Sequence, residues 1–304
     1  MVSLRIVAKG IQFASVTAMI AHRAFTERTG LTWHAGHAIS SSRAVAEETG
    51  IALTFGGSTY AVMMATPADL RDFGFGFAIT EGIVRRADEI RSLDLIDTDL
   101  GIEVRIWLEQ DRTASLIARR RAIMGPVGCG LCGIESLEQA RRSIPRVTKG
   151  AMFRARDLLE AMRALPPLQR LNRQTRSVHA AAFWQAGCGV GPVREDVGRH
   201  NALDKLAGAL IRHNRSVSGG AILLTSRVSV EMVQKTAMIG APVLVAVSAP
   251  TTLAIKTADE AGITLIAVAR DDGYEVFTHP DRIVFAKGPG LDPLKSLRPR
   301  QGAT

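Results

Sequence analysis

Two cysteines stand three apart in the run Gly128-Cys129-Gly130-Leu131-Cys132-Gly133, with Arg119, Arg120 and Arg121 before them and Arg141 and Arg142 after. The thiolate is the reactive form of cysteine, and nearby positive charge or a helix N-terminus lowers a thiol pKa. Ile134 to Arg142 reads as a helix directly after the pair, so nucleophilic sulfur chemistry is the first expectation. The same residues match G-x-G-x-x-G, but a dinucleotide fingerprint is rejected. The basic lead-in with Gly125-Pro126 is a poor first strand, and no acid stands about 20 residues beyond the last glycine to hold a ribose. Two other thiol chemistries stay open. Structural zinc needs four ligands, for which only Cys188 and histidines such as His179 and His200 are at hand. A disulfide switch wants the pair directly between a strand and a helix. Cys188, between Gly187 and Gly189, reads as a turn or core cysteine.

Charge gathers around the cysteine pair. Of a formal net +9, the window Arg112 to Arg176 alone carries fourteen Arg/Lys against four acids, so the rest of the chain is close to neutral. This is either a solvated face or a local field for an anionic ligand. Nucleic acid is not the expected ligand, because Phe153 is the only aromatic residue of the window and stacking needs several.

A second polar cluster, Glu195 to Lys205, interrupts an apolar half of the chain and packs two acids, Arg199, His200 and Asn201 into seven positions. It reads as a site, with His179, Glu195 and His200 as candidates for proton handling. Three loops could bind phosphate: Ser226-Arg227-Val228-Ser229, Ser248 to Thr252, and Thr175 to His179. The first two put hydroxyls and free backbone N–H groups at a helix start, where anions are favoured.

The elements that must position these residues follow from pattern. Ile51–Phe55 and Thr59–Ala65 read as a hairpin turning at Gly56-Gly57, Thr66 as the N-cap of a helix whose apolar face holds Leu70, Phe73, Phe77 and Ile83, and Ile102–Leu108 as a further strand. From Ser177 the grammar changes to β-α-β. Strands at 177–184, 221–225, 243–247 and 263–269 alternate with helices near 201–212, 229–239 and 251–261, and a last strand lies near 274–278. Continuous apolar strands imply a sheet covered on both faces, with strand-to-helix loops and ligands along one edge.

With 304 residues the prior is about two domains. The expected organisation is an extension over 1–43 with Ser40, Ser41 and Ser42 as its linker, a small α+β domain over 44–125, an α/β domain over 126–286 and a tail over 287–304. Hydrophobic residues at 46%, charged ones at 22% and a mean hydropathy of +0.11 exclude a disordered or collagenous chain. Three cysteines suit a reducing compartment. No apolar run reaches the ~18 residues of a membrane span, and Ile11 to Ala21, broken by Gln12, Ser15 and Thr17, is a poor signal peptide.

Several long motifs in one order give the chain a family resemblance over Ala44 to Phe285. They are Met64-Ala65-Thr66-Pro67-Ala68-Asp69-Leu70, Gly76-Phe77, Glu81-Gly82, Cys129 to Gly133, His179-Ala180-Ala181, Glu195 to Lys205, Ser229 to Val233 with Lys235, and Val247 to Thr251. In these the chain resembles the formate dehydrogenase accessory proteins, FdhD, departing from them at Ser226-Arg227, where the family usually has an intervening glycine. The resemblance implies a cytoplasmic sulfurtransferase with no catalytic metal of its own. It would take persulfide sulfur from a cysteine desulfurase and pass it to the bis-guanine-dinucleotide form of the molybdenum cofactor for the formate dehydrogenase catalytic subunit. Cys129 would bear the persulfide with Cys132 as helper, and Tyr274, Glu275, Val276, Phe277, Thr278 and His279 would contact the cofactor. The anion-binding candidates Ser226, Arg227, Ser229, Ser248, Thr251, His179, Arg199 and His200 would complete that site. A homodimer is one arrangement to test, and a chaperone that shields the cofactor without covalent transfer is the alternative. The family's larger domain resembles cytidine deaminases, which implies a three-layer α/β/α fold. Deamination itself is not expected, since His179-Ala180-Ala181 lacks the glutamate of H-x-E and follows the cysteine pair.

Overall fold

The computed structural model describes residues 22–109, 144–148 and 150–285. The first element is a two-stranded ribbon, β1 (Phe25–His34) antiparallel to β2 (His37–Ala46), in which Arg43 donates to the Thr175 carbonyl at 3.3 Å. Its turn residues Ala35 and Gly36 both have positive φ, 50° and 88°, the geometry that matches the twist of a tight hairpin. This corrects the reading of Ser40, Ser41 and Ser42 as a linker. Ser40, Ser41 and Ser42 lie within β2 opposite Leu31, Gly30 and Thr29. Their hydroxyls serve cross-strand bonds, Ser41 with Thr32 at 2.6 Å and Ser42 to Glu27 at 3.0 Å. Near the tip, Leu31 is 80% exposed, Trp33 74% and Ile39 58%.

Four strands form the small sheet in the order β4-β3-β6-β5: β3 (Thr49–Phe55), β4 (Ser58–Ala65), β5 (Ile90–Thr98) and β6 (Gly101–Leu108). Gly56 and Gly57, with φ of 57° and 78°, make the expected hairpin turn. The inward residues Ile51, Leu53, Val104 and Ile106 meet α1 (Leu70–Thr80) through Leu70, Phe73 and Phe77. Thr66 is not the helix cap. Asp69 holds that position in a left-handed conformation, φ 53°, without a side-chain bond. Thr66 is instead fully buried. Its N–H donates to Asp196 at 3.0 Å, its hydroxyl accepts from the Val197 N–H at 3.2 Å, and its carbonyl accepts from Lys205 at 2.8 Å.

After β7 (Phe153–Arg154), α2 (Ala155–Ala164) and α3 (Arg170–Thr175), the chain builds a six-stranded sheet of order β13-β12-β11-β10-β8-β9. Its strands are β8 (His179–Gln185), β9 (Gly189–Asp196), β10 (Gly220–Leu224), β11 (Val243–Ala246), β12 (Thr264–Ala267) and β13 (Glu275–Val276). A short strand β14 (Ile283–Val284) pairs with β7. Three helices, α4 (Arg199–Arg212), α5 (Val230–Ile239) and α6 (Thr252–Ala261), contribute to the core on one face. On the other, Leu158, Ala161 and Met162 of α2 pack with Phe153, Ala182, Leu223 and Val245. The expected double-sided burial is therefore present in a mixed α/β fold. The β-α-β pattern holds only for the parallel strands β10, β11 and β12, since β8, β9 and β13 pair antiparallel.

The two sheets meet where α1 crosses α4. A Cβ on Gly76 would overlap the carbonyl of Asp204, and one on Gly208 the carbonyl of Asp72, so each helix backbone lies against the other through a glycine. Among the described residues no helix is long and apolar enough to cross a membrane.

Candidate functional site

Strand direction decides which predicted residues meet. Because β8 runs antiparallel to β10, with Leu224 opposite Ala181, the start of β8 lies at the carboxyl end of β10. Thr225 ties this corner, its hydroxyl accepting from the Ala180 N–H at 2.9 Å. His179 is also paired in register with Asp196, after which the chain enters α4 at Arg199 and His200. The loops after β10 and β11 are zipped together by a bridge between Val228 and Pro250, with N–H···O bonds from Val228 to Ala249 at 3.3 Å and from Thr251 to Val228 at 3.0 Å. One sheet edge thus gathers His179, Arg199, His200, Ser226, Arg227, Ser229, Ser248 and Thr251 beside the starts of α4, α5 and α6.

The three helix starts differ. Thr251 caps α6, its hydroxyl accepting from the Ala254 N–H at 3.2 Å. Gly198 and Ser229 precede α4 and α5 without a side-chain cap, although the Gly198 N–H itself donates to Asp196 Oδ1 at 2.7 Å. Ser229 instead donates to Glu231 Oε2 at 2.6 Å. His200 Nε2 stands 3.7 Å from the same oxygen, an ion-pair distance beyond a hydrogen bond. Arg199 Nε and His200 Nε2 are buried and have no hydrogen-bond partner among the described residues. Burial alone would push the Glu231 carboxyl up, but the His200 imidazole and the Ser229 hydroxyl bring it down to about 2. Burial, then the Arg199 guanidinium and the His200 imidazole, pushes His179 below the ordinary histidine range against the pull of Asp196.

The His179 shift has a checkable sign. A histidine whose folded pKa is depressed adds stability that is present above the unfolded value of about 6.5 and lost as pH falls toward the folded one. In an NMR titration the His179 imidazole should have its midpoint below 6.5, and His179→Gln should reduce the loss of stability on acidification between neutrality and that midpoint. A His179 midpoint at or above 6.5 would contradict the environment described here.

Other predicted residues have structural work. Glu195 lies in β9, and its carboxylate accepts the N–H groups of Leu171 at 2.9 Å and Asn172 at 2.8 Å, closing the start of α3 rather than standing ready for a proton. The rest of the polar run turns into the joint between the two sheets. Lys205 and Asp196, both fully buried, pair at 2.6 Å, and Asn201 donates to Asp196 at 3.0 Å and to the Met64 carbonyl at 2.9 Å. One turn on, Lys235 reaches Asp204 at 2.8 Å and Glu81 at 3.1 Å, and Thr80 donates to Asp204 at 2.5 Å. Burial pulls Lys235 down, but the two carboxylates outweigh it and hold the ammonium above the ordinary lysine range. Burial also pushes Asp204 up; with the Lys235 ammonium and the Thr80 hydroxyl on its oxygens, the contact is an ion pair. A third knot, Asp72 with Arg194 and Arg212, joins α1 to β9 and the end of α4. Sequence reasoning did not foresee these partners, though Asp and Lys at fully apolar helix positions were a signal for buried pairs.

The segment Tyr274 to His279 is not gathered at the edge as a whole. Tyr274 and Glu275 lie near the carboxyl end of β12, whereas Thr278 and His279 lie at its amino end. Tyr274 donates to the Ala155 carbonyl at 3.0 Å, and burial pushes its phenol up to about 12. Thr278 bonds the backbone of Ile263 at 2.6 Å and Leu265 at 2.9 Å, and Val276 and Phe277 pack against the cores on opposite faces of the sheet. Cys188 is exposed in the β8–β9 turn. Cys129 and Cys132, and the arginines nearest them, lie outside the described residues.

A sequence profile described as the FdhD/NarQ family matches residues 46–284, a span holding both sheets, the edge and the cysteine pair. The chain belongs to that family. Within it, a protein named sulfur carrier protein FdhD from Agrobacterium fabrum is 52% identical over 250 residues, covering 82% of this chain and 92% of that one. Another of that name from Cupriavidus necator is 47% identical over 251 residues, covering 83% and 87%. The fold is similar to that of a formate dehydrogenase accessory protein from Desulfotalea psychrophila, with a TM-score of 0.68 at 24% identity over 86% of this chain and all of the other.

Proposed function

We propose that the protein is a sulfur carrier in formate dehydrogenase maturation, working through a persulfide on Cys129. The observation that carries this reading is the Cys129-Gly130-Leu131-Cys132 motif inside the span shared with the FdhD/NarQ family, to which relatives named sulfur carriers belong. In the first step the Cys129 thiolate attacks the outer sulfur of a cysteine desulfurase persulfide. The new S–S bond forms as the old one breaks, the desulfurase cysteine leaves as thiolate, and no net oxidation occurs. Delivery as sulfide needs two electrons, which Cys132 supplies by attacking the inner sulfur and closing a disulfide with Cys129. The acceptor is the molybdenum cofactor in its bis-guanine-dinucleotide form, here a substrate. Its phosphates are met by the edge around Arg199, His200, Arg227 and the starts of α4 and α5, whose positive side chains and helix dipoles suit anions. The six-stranded unit is read as a cytidine-deaminase-like scaffold put to a different use.

The test is covalent. Incubation with a desulfurase and cysteine should add one sulfur, ~32 Da on the first reversible rung of thiol modification, to Cys129 and leave Cys188 bare. Loading mainly on Cys188, or unchanged in Cys129→Ala, would sink the assignment. A Cys129→Ser protein that still matures the dehydrogenase would select the shielding chaperone.

A further inference from the structure

The β1–β2 ribbon does not account for its own stability. A lone two-stranded hairpin is marginal in water, and a third strand or a packed face is what makes such a unit hold. Here the base of β2 meets α3, with Arg43 on the Thr175 carbonyl, but residues 29–42 are exposed throughout except for half-buried Ser41. Cross-strand register sorts the side chains into two faces. One holds Leu31 and Trp33 with Ala38 and Ser40. The other holds Arg28 directly opposite Arg43, then Thr32 opposite Ile39, and within the ribbon it carries no acid. Like charges placed opposite each other destabilise a strand pair, and Arg28 has no ion-pair partner among the described residues. Grooves of about 400 and 460 Å³ lie at the base, one beside Thr26 and Ile102, the other beside Phe25 and Gln174, so the body of the protein seals neither face.

Because β2 leans on α3, β1 is the edge left for a third strand. Thr29-Gly30-Leu31-Thr32-Trp33 has neither charge nor proline, the devices that keep edge strands from pairing, whereas β5, an edge of the small sheet, carries Arg91, Asp94 and Asp97. We propose that β1 accepts an extended segment of a partner protein as a third strand, with apolar residues beside Leu31 and Trp33 and a carboxylate beside Arg28. Strand addition of this kind draws affinity from main-chain bonds and selectivity from alternate side chains. Such docking requires neither the persulfide nor the nucleotide. A second copy of the chain is a poorer occupant, since its ribbon would bring Arg28 and Arg43 against the same pair in a protein of net charge +9. A membrane is poorer too. The apex His34-Ala35-Gly36-His37 carries two imidazoles, and the large apolar residues stand behind it on both faces.

The experiment uses the full chain and a capped peptide, Val-Thr-Val-Thr-Thr-Glu-Thr, which laid antiparallel puts its valines beside Trp33 and Leu31 and its glutamate beside Arg28. Calorimetry should show it binding about 5-fold tighter than the same peptide with lysine for glutamate, the size of one exposed cross-strand charge pair turned from attraction to repulsion. Arg28→Glu should invert that preference, a gain of binding that an unfolded variant could not give. Main-chain groups of successive residues in a strand point to opposite sides, so of two peptides N-methylated at alternate positions one should lose at least about 10-fold in affinity and the other should keep it. Equal binding of the glutamate and lysine peptides, equal effects of the two methylation patterns, or no binding of any peptide overturns the proposal. Self-association of the unaltered chain in sedimentation, abolished in Leu31→Glu, gives the ribbon to a second copy instead. Binding to vesicles of phosphatidylglycerol and phosphatidylcholine, lost in Trp33→Ala, gives it to a membrane. Either result overturns the proposal as well.

Discussion

Gly76→Val should destabilise the protein by at least about 4 kcal/mol, at the far end of single-substitution effects. The reason lies in what a side chain there would meet. In the α1–α4 crossing the first carbon of any side chain would overlap the Asp204 carbonyl, which is helix backbone and cannot rotate away. The helices would have to separate, and separation would break the Thr80–Asp204 bond and draw Lys235 from its acceptors. Gly208, against the Asp72 carbonyl, is bound by the same logic. Gly273 is the control, because nothing lies within 4 Å of a Cβ built there; Gly273→Ala should stay within about 0.5 kcal/mol of the parent. Urea denaturation reads both, and a Gly76→Val protein within about 1 kcal/mol of the parent would show that the crossing is looser than described.

Lys205→Met should cost about 3–5 kcal/mol, the usual consequence of removing one member of a buried ion pair. Methionine fills similar space, so the cost is not a cavity. It comes from Asp196, fully buried and left without its cation, and from the Thr66 carbonyl, which loses its donor. The N–H groups of Thr66 and Gly198 and the Asn201 amide still reach Asp196, which places the expected value toward the lower end of that range. The double substitution Lys205→Met with Asp196→Asn should recover part of the loss, since no uncompensated charge then remains. A single variant as stable as the parent, or a double variant no better than the single, would mean that Lys205 contributes packing and not charge. Because the same residues set the entry to α4, the nucleotide affinity proposed for the edge at Arg199 and His200 should fall with Lys205→Met.

What the sequence made legible was what depends on local pattern. The Gly56-Gly57 hairpin, the apolar face of α1 and the parallel trio β10, β11 and β12 all rest on periodicity and turn residues, which act within a few positions. The convergence of the two loops followed from the same trio, since adjacent parallel strands deliver their following loops to one edge. Less legible were features fixed by distant partners. β5 carries Arg91, Asp94 and Asp97, whose charges hide an alternation that only its pairing with β6 reveals. Glu195 and Asp196, at the end of β9, read as part of a polar site because they find their partners, the α3 start and Lys205, in other elements. Thr66 looks like a helix cap to its neighbours in sequence and is held instead by residues 130 positions or more away. The serines of β2 carry the polarity of a linker, and only the strand opposite gives them a ladder.

The protein holds three tryptophans, and the fold has placed one in each of its parts. Trp184 is 7% exposed in β8 of the larger sheet, Trp107 43% exposed in β6 of the smaller, and Trp33 74% exposed near the tip of the ribbon. The indole of the ribbon is thus an intrinsic fluorophore in near-aqueous surroundings, open to a dissolved quencher that cannot reach Trp184. Whatever comes to cover the ribbon will shift Trp33 emission toward the blue and shield it from that quencher, while the two sheet tryptophans keep their spectra, so the molecule carries its own optical report of which part has been engaged.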